Sequence, residues 1–290
     1  MPTGQHPWLV VGADGAIGGE LLRRLSAAGR PALGTTRRAD RAGLFLDLAG
    51  EPSSWQLPDS VAVAFLCAAV TSVERCQQFP ADTRVVNVER TLRLARRLRE
   101  RGAHVVFLST NQVFDGAKPH RKPDDRPRPQ TEYGRQKAEV EGALLSAGAA
   151  TVVRFTKVVA PGMKLLRSWL DAFLAGVAVE PFGDMVISPV PLAFAAEVLA
   201  RVGEQTPGGI IQLSGEADVT YAELARRLAD RCEVSRELVR PVSFASKGLP
   251  PEMAPEHTTL DIARLTSELG LTPPPVWETL AALFEGLFHE

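Results

Sequence analysis

The sequence predicts an α/β protein, a doubly wound parallel sheet joined to a smaller α+β C-terminal domain, and three observations predict it. A glycine-rich turn, Gly12-Ala13-Asp14-Gly15-Ala16-Ile17-Gly18, stands between a short apolar run and an amphipathic stretch. Continuous apolar runs, the pattern of strands buried on both faces of a parallel sheet, then alternate with helical periodicity as far as residue 155. Beyond that point the segments shorten, and no internal repeat is visible.

Composition sets the outer bounds. The chain has 290 residues, 45% of them hydrophobic, enough for one large domain or two interlocked ones. Lys+Arg 33 against Asp+Glu 34 leaves a net charge of -1, so neither nucleic acid nor an anionic membrane is expected as a partner. Cys67, Cys76 and Cys232 lack paired metal-ligand spacing, which points to free thiols in a reducing compartment, with no disulfide and no metal. The chain enters its first apolar run at Trp8 without a basic, apolar leader, and no run of about 18 apolar residues occurs, so a soluble, cytoplasmic protein is expected.

Residues 8–11 are the first strand, and Leu21, Leu22 and Leu25 recur at helical spacing before Gly29. Between them, Gly12, Gly15 and Gly18 permit a tight turn, close approach to a pyrophosphate and close packing of helix on strand; the N–H groups at the helix start face the anion. Residues 32–36 are the second strand, whose end is where a carboxylate grips the ribose of NAD. Arg37 and Arg38 stand there instead, and two cations suit the 2′-phosphate of NADP, with a solvated turn as the alternative. Residues 44–48 carry Asp47 and Leu48, with Asp47 placed either to reach an adenine edge or to close a turn.

Residues 61–67 form a buried strand, and residues 84–101 a long helix covering the sheet with Val85, Val88, Leu92, Ala95 and Leu98. A strand at 104–109 leads to Thr110. The segment 115–131, with Pro119, Pro123, Pro127 and Pro129, is irregular and lies between Thr110 and Tyr133, where it borders a substrate site. A helix through Tyr133 and a strand at 151–155 follow. Later come helices at 165–175, 192–202, 221–231 and 277–288, strands at 210–213 and 238–242, and a proline-rich passage at 250–255. The expected division is a dinucleotide-binding domain of residues 1–157 plus about 186–206, and a substrate-binding domain of about 158–185 plus 207–290.

Only Tyr133 of the two tyrosines has a lysine four residues on, which puts its phenol and the Lys137 ammonium on one helix face. An adjacent ammonium favours the phenolate, and the Thr110 hydroxyl can bond the same substrate oxygen. A solvated pair on an ordinary helix is the plain alternative, which the accompanying motifs outweigh.

Taken together, these stretches resemble the extended short-chain dehydrogenase/reductases, and within them the dTDP-4-dehydrorhamnose reductase-like branch. The resemblance rests on the glycine turn, Cys67-Ala68-Ala69 with the later Phe79-Pro80 and Val86-Asn87, Ser109-Thr110-Asn111-Gln112-Val113-Phe114-Asp115-Gly116, Tyr133-Gly134-x-x-Lys137, Arg154, Ser188-Pro189-Val190 and the strand from Gly209 to Gly215 with its Leu213-Ser214-Gly215. It covers nearly the whole chain. It implies a Rossmann-type sheet and a catalytic triad of Thr110, Tyr133 and Lys137. It also implies cofactor contacts from Cys67, Ala68, Ala69, Tyr133 and Lys137, and substrate contacts from Asn111, Gln112, Val113, Phe114 and Lys157. This chain departs from the pattern at Cys67 for Asn, Asn111 for Asp, Gln112 for an aromatic residue and Lys157 for Trp.

The function expected from these features is NADP-dependent reduction of a nucleotide-activated 4-keto-sugar, with NADP(H) preferred over NAD(H). A sugar-nucleotide epimerase or dehydratase of the same family, or a non-catalytic dinucleotide-binding regulatory subunit, are the alternatives. The resemblance leaves a homodimer open.

Overall fold

A computed structural model of the chain describes residues 6–148, 150–160, 162–248 and 254–288. In chain order the first half comprises β1 (Trp8–Val11), α1 (Ala16–Ala27), β2 (Ala32–Thr36), β3 (Leu44–Phe45), β4 (Val63–Leu66), α2 (Val73–Gln78), α3 (Pro80–Arg84), α4 (Thr91–Arg99), β5 (His104–Thr110), α5 (Glu132–Ala147) and β6 (Ala150–Phe155). The second half comprises β7 (Lys157–Val159), α6 (Lys164–Leu174), β8 (Val186–Ile187), β9 (Pro189–Pro191), α7 (Leu192–Gln205), β10 (Gly209–Leu213), β11 (Val219–Thr220), α8 (Tyr221–Arg231), α9 (Ala263–Leu269) and α10 (Val276–Phe288).

Seven strands form one parallel sheet in the order β10-β6-β5-β4-β1-β2-β3. The order reverses between β1 and β4, and an open sheet forms its ligand crevice outside the carboxyl ends at such a point. Alternate residues of each strand feed two cores. Val10, Phe65, Val106, Val153 and Ile211 pack with Leu21 of α1, Leu199 of α7 and Leu265 of α9. Leu9, Leu66, Phe107 and Val152 pack with Leu94 and Leu98 of α4 and Leu144 of α5. A third core, with Leu166, Phe173, Leu228 and Leu283, holds α6, α8 and α10 together.

Several expected elements are displaced. The strand expected at 210–213 in the C-terminal domain is β10, which pairs with β6 along its whole length and extends the main sheet; α9, which local periodicity did not reveal, packs on it. Of the segment 186–206 expected to return to the first domain, α7 does so, whereas β8 pairs with β11 beside the third core. The strand expected at 238–242 is a 3-10 turn, Arg236–Leu238, followed by isolated bridges of Val239 to Val179 and Val242 to Phe182. Pro181 and Pro241 lack the N–H donors that a longer ladder needs. The expected helix at 84–101 begins earlier, at α3, and passes through a π-helical turn, Val85–Arg90, before α4. Past that turn Leu94 is fully buried in the second core, and Leu92 packs against the same core partly buried. Residues 250–253 of the proline-rich passage lie outside the described residues. Among the described residues no helix is long and apolar enough to cross a membrane, and the three cysteines are free.

Candidate active site

The glycine turn leaves β1 with Gly12 at φ 86°, in the left-handed region. A Cβ on Gly12 would lie 2.9 Å from Cβ of Ala68, so only glycine lets this turn close against the residues after β4. Among the described residues no side chain caps α1, which leaves the N–H groups of Ala16, Ile17 and Gly18 without intrahelical partners. A bare helix start beside a turn that a Cβ would fill fits the pyrophosphate of a dinucleotide.

Around the second strand the structure adds what the sequence did not reveal. The Thr36 hydroxyl donates to the Asp14 carboxylate at 2.7 Å, and Arg41 pairs with that carboxylate at 3.4 Å. The Thr36 bond, together with the Arg41 and Arg38 cations, holds the Asp14 carboxyl below its ordinary range. Arg37 and Arg38 are exposed, and Arg38 and Arg41 line a cleft of about 340 Å³ with Thr36, Gly43, Phe45 and Gln56. Arg41 escaped notice because it lies in the turn beyond the strand end. Asp47 takes the turn role: its carboxylate accepts the N–H of Ala49 at 3.0 Å, and Leu48 is buried beneath it.

Thr110 ends β5, and its hydroxyl caps the following 3-10 turn, Asn111–Val113, by accepting the N–H of Gln112 at 3.2 Å. The turn sits directly on the first turn of α5. Thr131, the N-cap of α5, accepts the N–H of Gly134 at 3.1 Å and donates to Oε1 of Gln112, also at 3.1 Å. A Cβ on Gly134 would collide with the Gln112 carbonyl, so the glycine after Tyr133 is what lets the first turn of α5 sit on the turn that follows Thr110. From the other side, Asn87 of the π-turn donates to Gln136 at 2.8 Å while accepting from Val70 after β4 at 2.8 Å.

Tyr133 and Lys137 are both buried. Lys137 Nζ donates to the Leu108 carbonyl at 2.7 Å and lies 5.8 Å from the centre of the Tyr133 ring. Burial lowers the Lys137 pKa to about 8, against opposing pulls from Glu141, Cys67 and Cys76. The expected depression of the phenol is not found: burial first, and Cys76 second, push Tyr133 above its ordinary value. Cys67, beyond β4, is also pushed up by burial, to about 12, with Lys137 opposing. The residue after β4 thus lies within electrostatic reach of Lys137.

Of the expected substrate contacts, Asn111, Gln112 and Lys157 have accessible surface. Val113 and Phe114 instead pack inside a small cluster with Leu260, under the Arg121 and Arg154 guanidiniums. Lys157 is exposed at the start of β7, in register with Pro189 of β9. The 115–131 segment is irregular as expected, and it is fastened to the C-terminal part of the chain. Gly116 accepts from the N–H of His257 at 2.9 Å, and the Arg121 carbonyl accepts from Asp261 at 3.0 Å.

A family model described as RmlD substrate binding domain matches residues 7–287. The chain is 30% identical over 301 residues to dTDP-4-dehydrorhamnose reductase of Streptomyces griseus, covering 98% of this chain and 94% of that one. Among solved structures, dTDP-4-dehydrorhamnose reductase from Bacillus anthracis in complex with NADP has a TM-score of 0.82 at 19% identity, covering 97% of this chain and 99% of that one. MoeE5 in complex with UDP-glucose and NAD has a TM-score of 0.81 at 23% identity, covering 98% and 99%. Both share this fold.

Proposed function

The chain belongs to the RmlD substrate-binding-domain family, and from that membership we propose that it is an NADP-dependent reductase of a nucleotide-activated 4-keto-sugar. One juxtaposition carries this reading. The ends of three neighbouring strands bring together the glycine turn after β1, Ala68 and Cys67 after β4, and Thr110 after β5 beside Tyr133 and Lys137. Gly12, Ala13, Asp14, Gly15, Ala16, Ile17 and Gly18 hold the pyrophosphate side of the dinucleotide, and Arg37, Arg38 and Arg41 its 2′-phosphate. When bound, the nicotinamide supplies a hydride.

The residues of this chain supply the proton and the orientation. Thr110 orients the substrate carbonyl, and Tyr133 gives that oxygen its phenolic proton. Burial suits Tyr133 to this direction, since a phenol held above its ordinary pKa is protonated at neutral pH and serves as an acid. Lys137 binds the nicotinamide ribose through its ammonium.

The relatives' names point to a dTDP-linked sugar, whereas four residues of this chain favour a sugar other than the rhamnose precursor. Cys67, Asn111 and Gln112 change the polar groups around the reacting carbon. Lys157 puts a cation where the resemblance expects an aromatic ring, which suits a carboxylated sugar or the nucleotide diphosphate. The reading is tested by NADPH oxidation against a panel of nucleotide-linked keto-sugars. Consumption with at least one of them is expected. NADPH binding with no turnover, together with a copurifying protein partner, would favour the regulatory-subunit reading.

A further inference from the structure

Among the described residues Arg154 is the most deeply buried charged side chain, at 1% exposure near the end of β6. Its guanidinium joins three other parts of the chain. Nε and Nη2 donate to the Glu141 carboxylate of α5, at 2.7 Å for the shortest bond. Nη1 donates to the Pro123 carbonyl at 3.1 Å and to Oε1 of Gln212 on β10 at 3.2 Å. Gln212 then donates to the carbonyls of Arg121 at 2.7 Å and Asp261 at 3.0 Å, and the Phe114 ring lies 4.9 Å below the guanidinium.

A buried ion pair is weak evidence for stability, because apolar groups of the same volume often serve as well. The places this one joins are more telling. Glu141 lies one helical turn beyond Lys137 and two beyond Tyr133. Pro123 lies in the middle of the segment that follows Thr110, Asn111 and Gln112.

We infer that Arg154 is a positioning residue: it seats the 115–131 segment against the helix carrying Tyr133 and Lys137, and so sets how tightly substrate is held, without touching substrate. The kinetic consequence rests on the proposed role of Tyr133 and Lys137, and the structural consequence on the contacts of Arg154 alone. A planar fork is required, since one group must serve a carboxylate, a backbone carbonyl and an amide together.

The test uses the full chain with Arg154→Lys, which keeps a cation for Glu141 but cannot reproduce the fork. A second variant, Glu141→Gln with Arg154→Met, removes both buried charges together. In each, hydrogen exchange of the 115–131 amides should quicken tenfold or more while β1 and α1 keep their protection. The NADPH dissociation constant should stay within twofold in Arg154→Lys, which keeps the Glu141 charge near Lys137. KM for the reduced keto-sugar nucleotide should rise tenfold or more, with kcat changed less than threefold in Arg154→Lys.

Unchanged exchange and KM in a folded variant would overturn the inference. So would a loss of protection spread equally through β1 and α1, or the failure of both variants to fold, since either makes the pair a requirement of the core. If the parent reduces no keto-sugar nucleotide, the proposed function fails, and the exchange measurement alone still decides for or against Arg154.

Discussion

Lys137 gives its ammonium to the carbonyl of Leu108, at 2.7 Å, so the cation of α5 is tied to the strand that ends in Thr110. The bond fixes the helix against β5 at the level of the proposed triad. Tyr133, on the same helix face, is raised above its ordinary pKa by burial first and Cys76 second. On the proposed reading the two residues separate their tasks, with a neutral acid at Tyr133 and a tethered cation at Lys137.

The Lys137 pKa of about 8 gives NADPH binding a pH dependence. The ammonium that would hold the ribose is present below about 8 and lost above it, so affinity should fall as pH rises through that value. Glu141 of α5, Cys67 just after β4 and Cys76 of α2 are the charged or titrating groups that face it. Fluorescence titration from pH 6 to 10 should show this fall in the parent and a flat profile in Lys137→Met. Folding should respond with the opposite sign: between about 8 and the ordinary value of 10.5 the unfolded chain binds the proton and the folded chain does not, so stability rises with pH in that window.

Charge at the end of β2 should decide cofactor choice. Arg37→Met, Arg38→Met and Arg41→Met should each weaken NADPH relative to NADH, and charge-assisted bonds of about 1.5–3 kcal/mol imply roughly tenfold or more per contact before salt screening. Asp14→Asn should free Arg41 from its pair and improve NADPH binding. Equal affinities for the two dinucleotides in the parent at low ionic strength would show that these arginines point elsewhere.

Gly12→Ala should be destabilising and should abolish cofactor binding together. An L-residue in the left-handed region costs about 1–2 kcal/mol, and the contact of the new methyl with Ala68 adds to it. A urea unfolding midpoint within error of the parent would contradict this account of the turn.

Lys157→Met should raise KM for the true substrate tenfold or more, about 1.4 kcal/mol, while NADPH affinity is unchanged. Steady-state kinetics on the accepted substrates settle it, and identical constants would make Lys157 a surface residue only.

The elements legible in the sequence were those whose signals are local. β1 matches its expected bounds because a buried parallel strand is a continuous apolar run, and β2 matches as well although only its Thr35 and Thr36 are buried. The α8 helix begins on a Thr220–Glu223 capping box and ends as expected. What stayed hidden depends on distant partners. The placement of β10 on the main sheet is set by pairing with β6, and the two-residue strands β8 and β11 have too few residues to show a period. At the site, Tyr133, Lys137 and Thr110 were visible by type and spacing. The tether to Leu108, the Asn87–Gln136 clamp and Arg41 beside Asp14 were not, since each joins residues more than twenty positions apart.

The central claim, net reduction with Tyr133 as the acid, is tested most directly by supplying nicotinamide-deuterated NADPH with the accepted keto-sugar nucleotide and weighing the product. The account predicts one deuterium in the sugar, one NADPH consumed per product, and a rate lower by about 10²–10⁴-fold in Tyr133→Phe with NADPH affinity retained. A product formed without deuterium or net NADPH consumption, as an epimerase or dehydratase would give, or a Tyr133→Phe variant with most of its activity, would contradict it.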